Sequence, residues 1–428
     1  MNNPMNSILA ATSHTERRID LDWVRIIAFA LLIWYHVTCF YAAGTPHNQA
    51  LSPRTHAWLI VPMLALSPWR LMILFIVSGA ATRFMADKMR PGALFRTRSA
   101  RLLPPLLFVT AVIVPPIAFV TVSQWSNYPG SFASYLGHYF TADQSVCHDP
   151  SCPPVPNYFH LWFVAYLWIY TIILTGLLAW APGILRALQW RLANALRGWG
   201  LIVWPVGYLA LARFALEGRF PQTLDLVHDW YNHAIYLGGF LLGFSIAKSH
   251  AVWAALERIR VRTLFGALLT YVVMITLGII VLGADFNWAK PTLGRPSVHQ
   301  TLLHAVASVV WGFDQWLWVA AAFGFAHRYL AERDGPARRY LTDAIFPFYI
   351  IHMLTIVVGG YYLSMLGLDI RLEFVLLVTA TALSCVVTYE IVRRVAWLRP
   401  WFGLKMIKAT STPTELQRAA SSPMISPR

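Results

Sequence analysis

Ten stretches of this chain, at 23–43, 69–86, 102–123, 159–181, 200–216, 230–247, 263–283, 301–325, 344–366 and 372–396, are apolar over a length that can cross a bilayer. About 17 to 25 such residues suffice when they are helical. In hydrocarbon every backbone N–H and C=O must find a partner within its own segment, so runs like these fold as helices. The predicted fold class is therefore all-α, a polytopic membrane bundle of about ten transmembrane helices. Composition agrees, since 57% of residues are hydrophobic and 12% are charged, against about 25% charged in a typical soluble domain. The organisation expected is an N-terminal segment over 1–21, a transmembrane domain over 22–405, and a disordered tail over 406–428 rich in Ser, Thr and Pro.

A net charge of +15 invites a nucleic-acid reading, but its distribution removes that reading. With the N-terminus placed in the cytoplasm, only Arg54, Arg70, Arg213, Arg219, Lys290, Arg295 and Arg371 fall outside, and the remaining Lys and Arg of the 34 fall inside. So strong a bias is an orientation signal. It predicts both termini in the cytoplasm, a lipid bilayer as partner and no nucleic acid. The first apolar run is too long for a cleavable leader and lacks a small-residue cleavage site, so it is expected to remain as the first span.

Of the four cysteines, Cys39 and Cys385 fall within spans, whereas Cys147 and Cys152 share a loop over 124–158 that carries no Lys or Arg. On the outer side such a pair either bridges or stays as two thiols, and a ring that short is demanding. Between the fourth and fifth spans, Leu185, Leu188, Leu192, Leu196 and Trp199 share a face opposite Arg186, Gln189, Asn194 and Arg197. That pattern suits a helix lying in the membrane interface.

Ionisable groups inside spans are functional candidates because hydrocarbon penalises them. Arg25, His36, His160, His233, His304, Asp314, His352 and Glu390 form that set. Arg25 and His36 stand out. Eleven residues turn the helix to within about 20° of the starting direction and advance it about 16 Å. Both side chains then line one stripe, with Phe29 and Leu32 between them and Asp22 three residues before Arg25, where it can pair with it. An imidazole there can take a proton from an attacking hydroxyl. Further along, Phe75, Ser78 and Gly79 precede Arg83, and the small residues suit close helix packing equally well. Arg98 and Arg101, three apart before Pro104, could clamp a phosphorylated donor. His160, Trp162 and Phe163 open the fourth span, as an acceptor platform or as part of an interfacial aromatic belt. Asp343 is expected to cap the ninth span, Pro347 to break it, and His352 to lie halfway across. No HExxH motif, paired CxxC or phosphate-binding glycine loop is present, so no metal site is expected.

Taken in order, these elements resemble the acyltransferase-3 family of integral membrane acyltransferases. The arginine and histidine at Arg25 and His36, the Phe75 to Gly79 element, Arg98 and Arg101 before Pro104, His160 to Phe163, and Phe346 to His352 look like its landmarks. The opening from Glu16 to Arg25 looks most like the glucan biosynthesis protein C branch, whose members are implicated in succinylating periplasmic glucans. The resemblance implies an O-acyltransferase of the bacterial inner membrane, moving a succinyl or acetyl group from acyl-CoA to hydroxyls of an extracytoplasmic glycan, with no cofactor besides the donor. It also makes other glucan biosynthesis proteins candidate partners. His36 would be the general base and Arg25 would orient the donor. Asp22 would support Arg25, and Arg83, Arg98 and Arg101 would hold phosphates. Ser78, His160, Trp162 and His352 would complete the substrate site, with Ser78 the nucleophile to test for an acyl-enzyme. The rival reading is an exporter of an anionic glycan or small anion, which explains buried charges without bond-making.

Overall fold

The computed structural model describes residues 18–43, 49–147, 154–220, 222–282 and 298–406. The segment 1–17, Cys152, and the tail from 407 onward lie outside the described residues. No β-strand occurs among those described, and the chain is a bundle of helices.

We number twelve helices: α1 Ile19–Tyr41, α2 Ser67–Ala86, α3 Pro91–Ser126, α4 Phe132–Phe140, α5 Trp162–Trp180, α6 Pro182–Ala195, α7 Gly200–Glu217, α8 Trp230–Ile246, α9 His250–Leu282, α10 Val298–Leu330, α11 Pro336–Ser364 and α12 Ile370–Arg394. Each of the ten predicted spans falls on one of these helices. Among the described residues nine helical stretches are long and apolar enough to cross a membrane. The tenth, α8, has 17 residues and a rise of about 26 Å, just short of the hydrocarbon thickness.

Prolines leave their signature where the helices deviate. Pro104 and Pro105 sit inside α3 and cannot donate to the preceding turn; the π-helical turn Val109–Ile113 follows immediately and lets the helix continue to Ser126. Two expectations for α11 are corrected here. The helix starts at Pro336, whose fixed φ suits a first turn, with Gly335 at the N-cap. Asp343 is consequently interior to the helix and not its cap. Pro347 does not break it either, because the chain stays α-helical to Leu354 and relaxes only in the π turn Thr355–Gly359.

The bundle is held by close approach as well as by apolar bulk. At the α2–α8 crossing, a Cβ on Gly79 would meet Phe240 O at 1.9 Å, and one on Gly243 would meet Ile76 O at 2.0 Å. Only glycine permits the two backbones to come this near. Outward-facing Leu107, Leu211, Phe265, Leu269 and Leu383 are exposed, an apolar exterior of the kind that lipid covers. Helix α6 buries Leu185 and seats Leu188 and Leu192 on the core, as its amphipathic pattern predicts. Trp199 departs from that face and is exposed, because α6 ends at Ala195. In the loop, Cys147 is disulfide-bonded, while Cys39 and Cys385 are free and buried.

Candidate functional site: a histidine cluster on the α1–α11 seam

Asp22, Arg25, Phe29 and His36 recur on one face of α1, and each meets α11. Arg338 donates to the Asp22 carboxylate. Arg25 Nη2 donates to Thr342 O at 3.0 Å. The Phe29 and Tyr349 rings meet edge to face with centroids 5.4 Å apart. The His36 and His352 rings lie 5.4 Å apart. Residue numbers rise together on both helices, so α1 and α11 run parallel, and the ladder from Asp22 to His36 spans about 21 Å on each. Phe29 and Leu32, between the two polar groups, are buried. Asp22 and Arg25 both reach across to α11.

At the far end of this seam three imidazoles gather. His160, on the turn before α5, faces His352 with ring centroids 5.4 Å apart and planes at 88°. His352 is fully buried, His160 nearly so, and His36 is only partly covered. His352 Nδ1 lies 2.7 Å from Tyr349 O and His160 Nε2 lies 3.1 Å from Ile350 O. A ring nitrogen that close to a carbonyl carries the hydrogen, which fixes the tautomer of the neutral ring and leaves a lone pair on the other nitrogen. Those other nitrogens, His352 Nε2 and His160 Nδ1, are buried without a hydrogen-bond partner among the described residues. The cluster thus holds two oriented, unsatisfied basic nitrogens beside His36. Tyr349 organises it by donating its hydroxyl to His160 O and stacking on His352 at 5.7 Å. Thr342 and Arg338 were not singled out in the sequence, and Tyr349 entered only within the Phe346 to His352 element. The i, i+3 spacing of Tyr349 and His352 on an apolar helix was the available signal.

At the other end of the seam the arginines are dispersed around α3. Arg98 Nε donates to Thr171 Oγ1 of α5 at 2.9 Å. Arg101 is exposed and lies within electrostatic reach of Asp343, the neighbour of Thr342. Arg83 pairs with Asp87 at 3.3 Å and borders a cleft of about 380 Å³ shared with Leu178, Pro182, Leu185, Arg186 and Gln189. Arg25, and Arg101 through Asp343, therefore lie toward the seam end at which α1 and α11 begin, Arg98 is tied to α5, and Arg83 lies at the separate cleft.

The remaining candidates fall elsewhere. Ser78 Oγ has no imidazole or carboxylate hydrogen-bond partner among the described residues, and its neighbour Gly79 serves the α2–α8 crossing. Trp162 is buried against Phe75, Tyr166 and Tyr236; the aromatic-belt reading is corrected, because α5 turns this ring into the bundle. Phe75 and Phe163 form an edge-to-face contact at 4.6 Å, and Phe163 in turn meets Tyr349, which ties α2 and α5 to the histidines. His233 bonds Tyr170 and Leu226 O, His304 stands 3.9 Å from Glu217, and Glu390 holds Tyr340, Arg393 and Arg394. Asp314 is buried beside Thr270.

A family model described as an acyltransferase domain matches residues 18–390, a range that includes every helix of the seam and all three histidines. No curated protein and no solved structure matches the chain. Bond-making thereby displaces the exporter reading, and the chain belongs to the acyltransferase-3 family of membrane acyltransferases.

Proposed function

We propose that the protein transfers an acyl group, succinyl or acetyl, from cytoplasmic acyl-CoA to a hydroxyl of an extracytoplasmic glycan, a periplasmic glucan in the first instance. It does so in the bacterial inner membrane with both termini in the cytoplasm. The observation that carries this reading is the α1–α11 seam, with cations at one end and oriented imidazoles about 16 Å farther on. In this reading Arg98 and Arg101 engage donor phosphates at the arginine end, with Arg83 at the neighbouring cleft, and Arg25 guides the pantetheine arm so that the thioester lies at the histidines. His36, the least buried of the three, meets the acceptor.

His36 takes the proton of the acceptor hydroxyl as its oxygen attacks the thioester carbonyl. The tetrahedral intermediate then expels the thiolate, breaking the C–S bond, and the imidazolium returns its proton to sulfur. The products are the ester and free CoA. His352 and His160 steady the ring of His36 and the charge it acquires, while Trp162 shapes the wall behind them. Asp22 acts as a positioning residue through Arg338. Ser78 serves α2 packing in this reading, so transfer is direct.

The test is to incubate purified protein with labelled succinyl-CoA or acetyl-CoA and glucan. Label should accumulate on the glycan, and a folded His36→Ala protein should lose about two to four orders of magnitude in rate. Full transfer by that variant refutes the assignment of the base. Mass spectrometry of glycans from cells with and without the gene identifies acyl group and acceptor together.

A further inference from the structure

Among the described residues three arginines are fully buried, Arg70, Arg213 and Arg338. Two of them face carboxylates. Arg213 Nη2 lies 2.7 Å from Glu217, and Arg338 holds both Asp22 and Asp334. Arg70 faces none among the described residues. Its guanidinium carbon lies 3.8 Å from the centroid of the Tyr35 ring, and its Nε and Nη1 are buried without hydrogen-bond partners. A cation–π contact satisfies the charge only in part and leaves the Nε and Nη1 donors unmet. An uncompensated buried charge is among the costliest arrangements a protein can keep, and packing alone gives no reason to keep it.

Position supplies the reason. Tyr35 directly precedes His36, and their ring centroids are 5.5 Å apart. The unmatched guanidinium therefore stands one aromatic ring away from the proposed base.

We propose that Arg70 is the receptor for a carboxylate of the substrate. A group held one ring from the reacting centre is attached only a few atoms from it, as is the distal carboxylate of a short dicarboxylic acyl thioester; an acidic sugar on the acceptor presents the same chemistry. The proposal rests on the acyl-transfer reading and adds the charge of what is transferred. Guanidinium and carboxylate pair through two parallel hydrogen bonds, from Nε and Nη2 or from Nη1 and Nη2, and either approach gives an acceptor to one of the donors now unmet.

The experiment compares succinyl-CoA with butyryl-CoA on a neutral glucan, and a neutral glucan with a uronate-bearing one using acetyl-CoA, in wild type, Arg70→Lys and Arg70→Met. The kcat/KM ratio in favour of the carboxylate partner should fall about 10- to 100-fold in Arg70→Met and less in Arg70→Lys. The donor pair responds if the carboxylate is on the acyl group, and the acceptor pair if it is on the sugar. Ratios unchanged in both pairs overturn the proposal. Independently of activity, substrate-free Arg70→Met should unfold at the same or a higher temperature than wild type, because an unmatched charge has been removed. A fall of several degrees would mark Arg70 as a structural residue and overturn it as well. A wild type that labels no acceptor from any donor defeats the acyl-transfer reading instead, and the unfolding comparison still tests Arg70.

Discussion

Replacing Arg338 by Met strips two carboxylates of their partner at the start of the α1–α11 seam. Arg338 itself is 2% exposed, Asp22 18% and Asp334 36%. Truncating one member of a fully buried pair costs about 3–5 kcal/mol. Both acids here can regain some water, so a loss of about 2–3 kcal/mol is expected for Arg338→Met. Asp22→Asn should cost only about 1 kcal/mol, since Arg338 keeps Asp334 and the amide oxygen still accepts. The double variant should then cost about 1 kcal/mol less than the sum of the two, because both changes break the same Asp22–Arg338 contact and that loss is counted only once. Unfolding of the detergent-solubilised protein, followed by tryptophan fluorescence, provides the three differences. Transfer assays on the same samples should show Arg338→Met lowering kcat through displacement of His36, with the pH dependence of the remaining activity unchanged. Additivity within about 0.5 kcal/mol would refute the ladder as a coupled unit.

Other outcomes follow from particular contacts. Gly79→Ala places a methyl 1.9 Å from Phe240 O, so α2 and α8 must separate; a loss of at least about 1–3 kcal/mol is expected in the same unfolding assay, and wild-type stability would contradict the crossing. His352→Gln removes the imidazole lone pair while keeping a side-chain amide that can donate to Tyr349 O, so kcat should fall by at least about tenfold in a protein that still folds; unchanged kcat would exclude it from the reacting centre. Arg339 and Arg338 hold the Asp334 carboxyl well below its usual range. A depressed pKa contributes stability that is present above the unfolded value and is lost as pH falls through the folded one. Unfolding temperature should therefore show no pH-dependent change from this group between pH 5 and 8, where its stabilisation is fully present, and a decline below about pH 4, with a shallower decline in Asp334→Asn. An equal decline in that variant would remove Asp334 from the acid transition.

Much of the architecture was readable from local pattern. Apolar length marked ten of the twelve helices, and the Arg25, Phe29, Leu32 and His36 stripe was correctly phased because it depends only on the helical period. Boundaries were harder. Polar residues such as Asp343 and prolines such as Pro347 read as ends, yet both sit inside α11, whose neighbours in the bundle meet the needs of the interrupted backbone. At the site, His36 was legible through its phase with Arg25, whereas His160 and His352 entered as parts of one substrate site only through the family resemblance. Trp162 looked interfacial because it opens a span. Its burial depends on Phe75, Tyr166 and Tyr236 arriving from other parts of the chain.

By itself the sequence determined that this chain is a multi-helix membrane protein and which residues share a face of each helix. These follow from bilayer thickness and the rise and turn of one helix, which act within about twenty residues. Only the tertiary structure decided that Asp22 meets Arg338, 316 positions away, that three histidines converge, and that Arg70 alone of the fully buried arginines described has no carboxylate beside it. Each of these depends on which helices pack together and at what depth, and no local period encodes that choice.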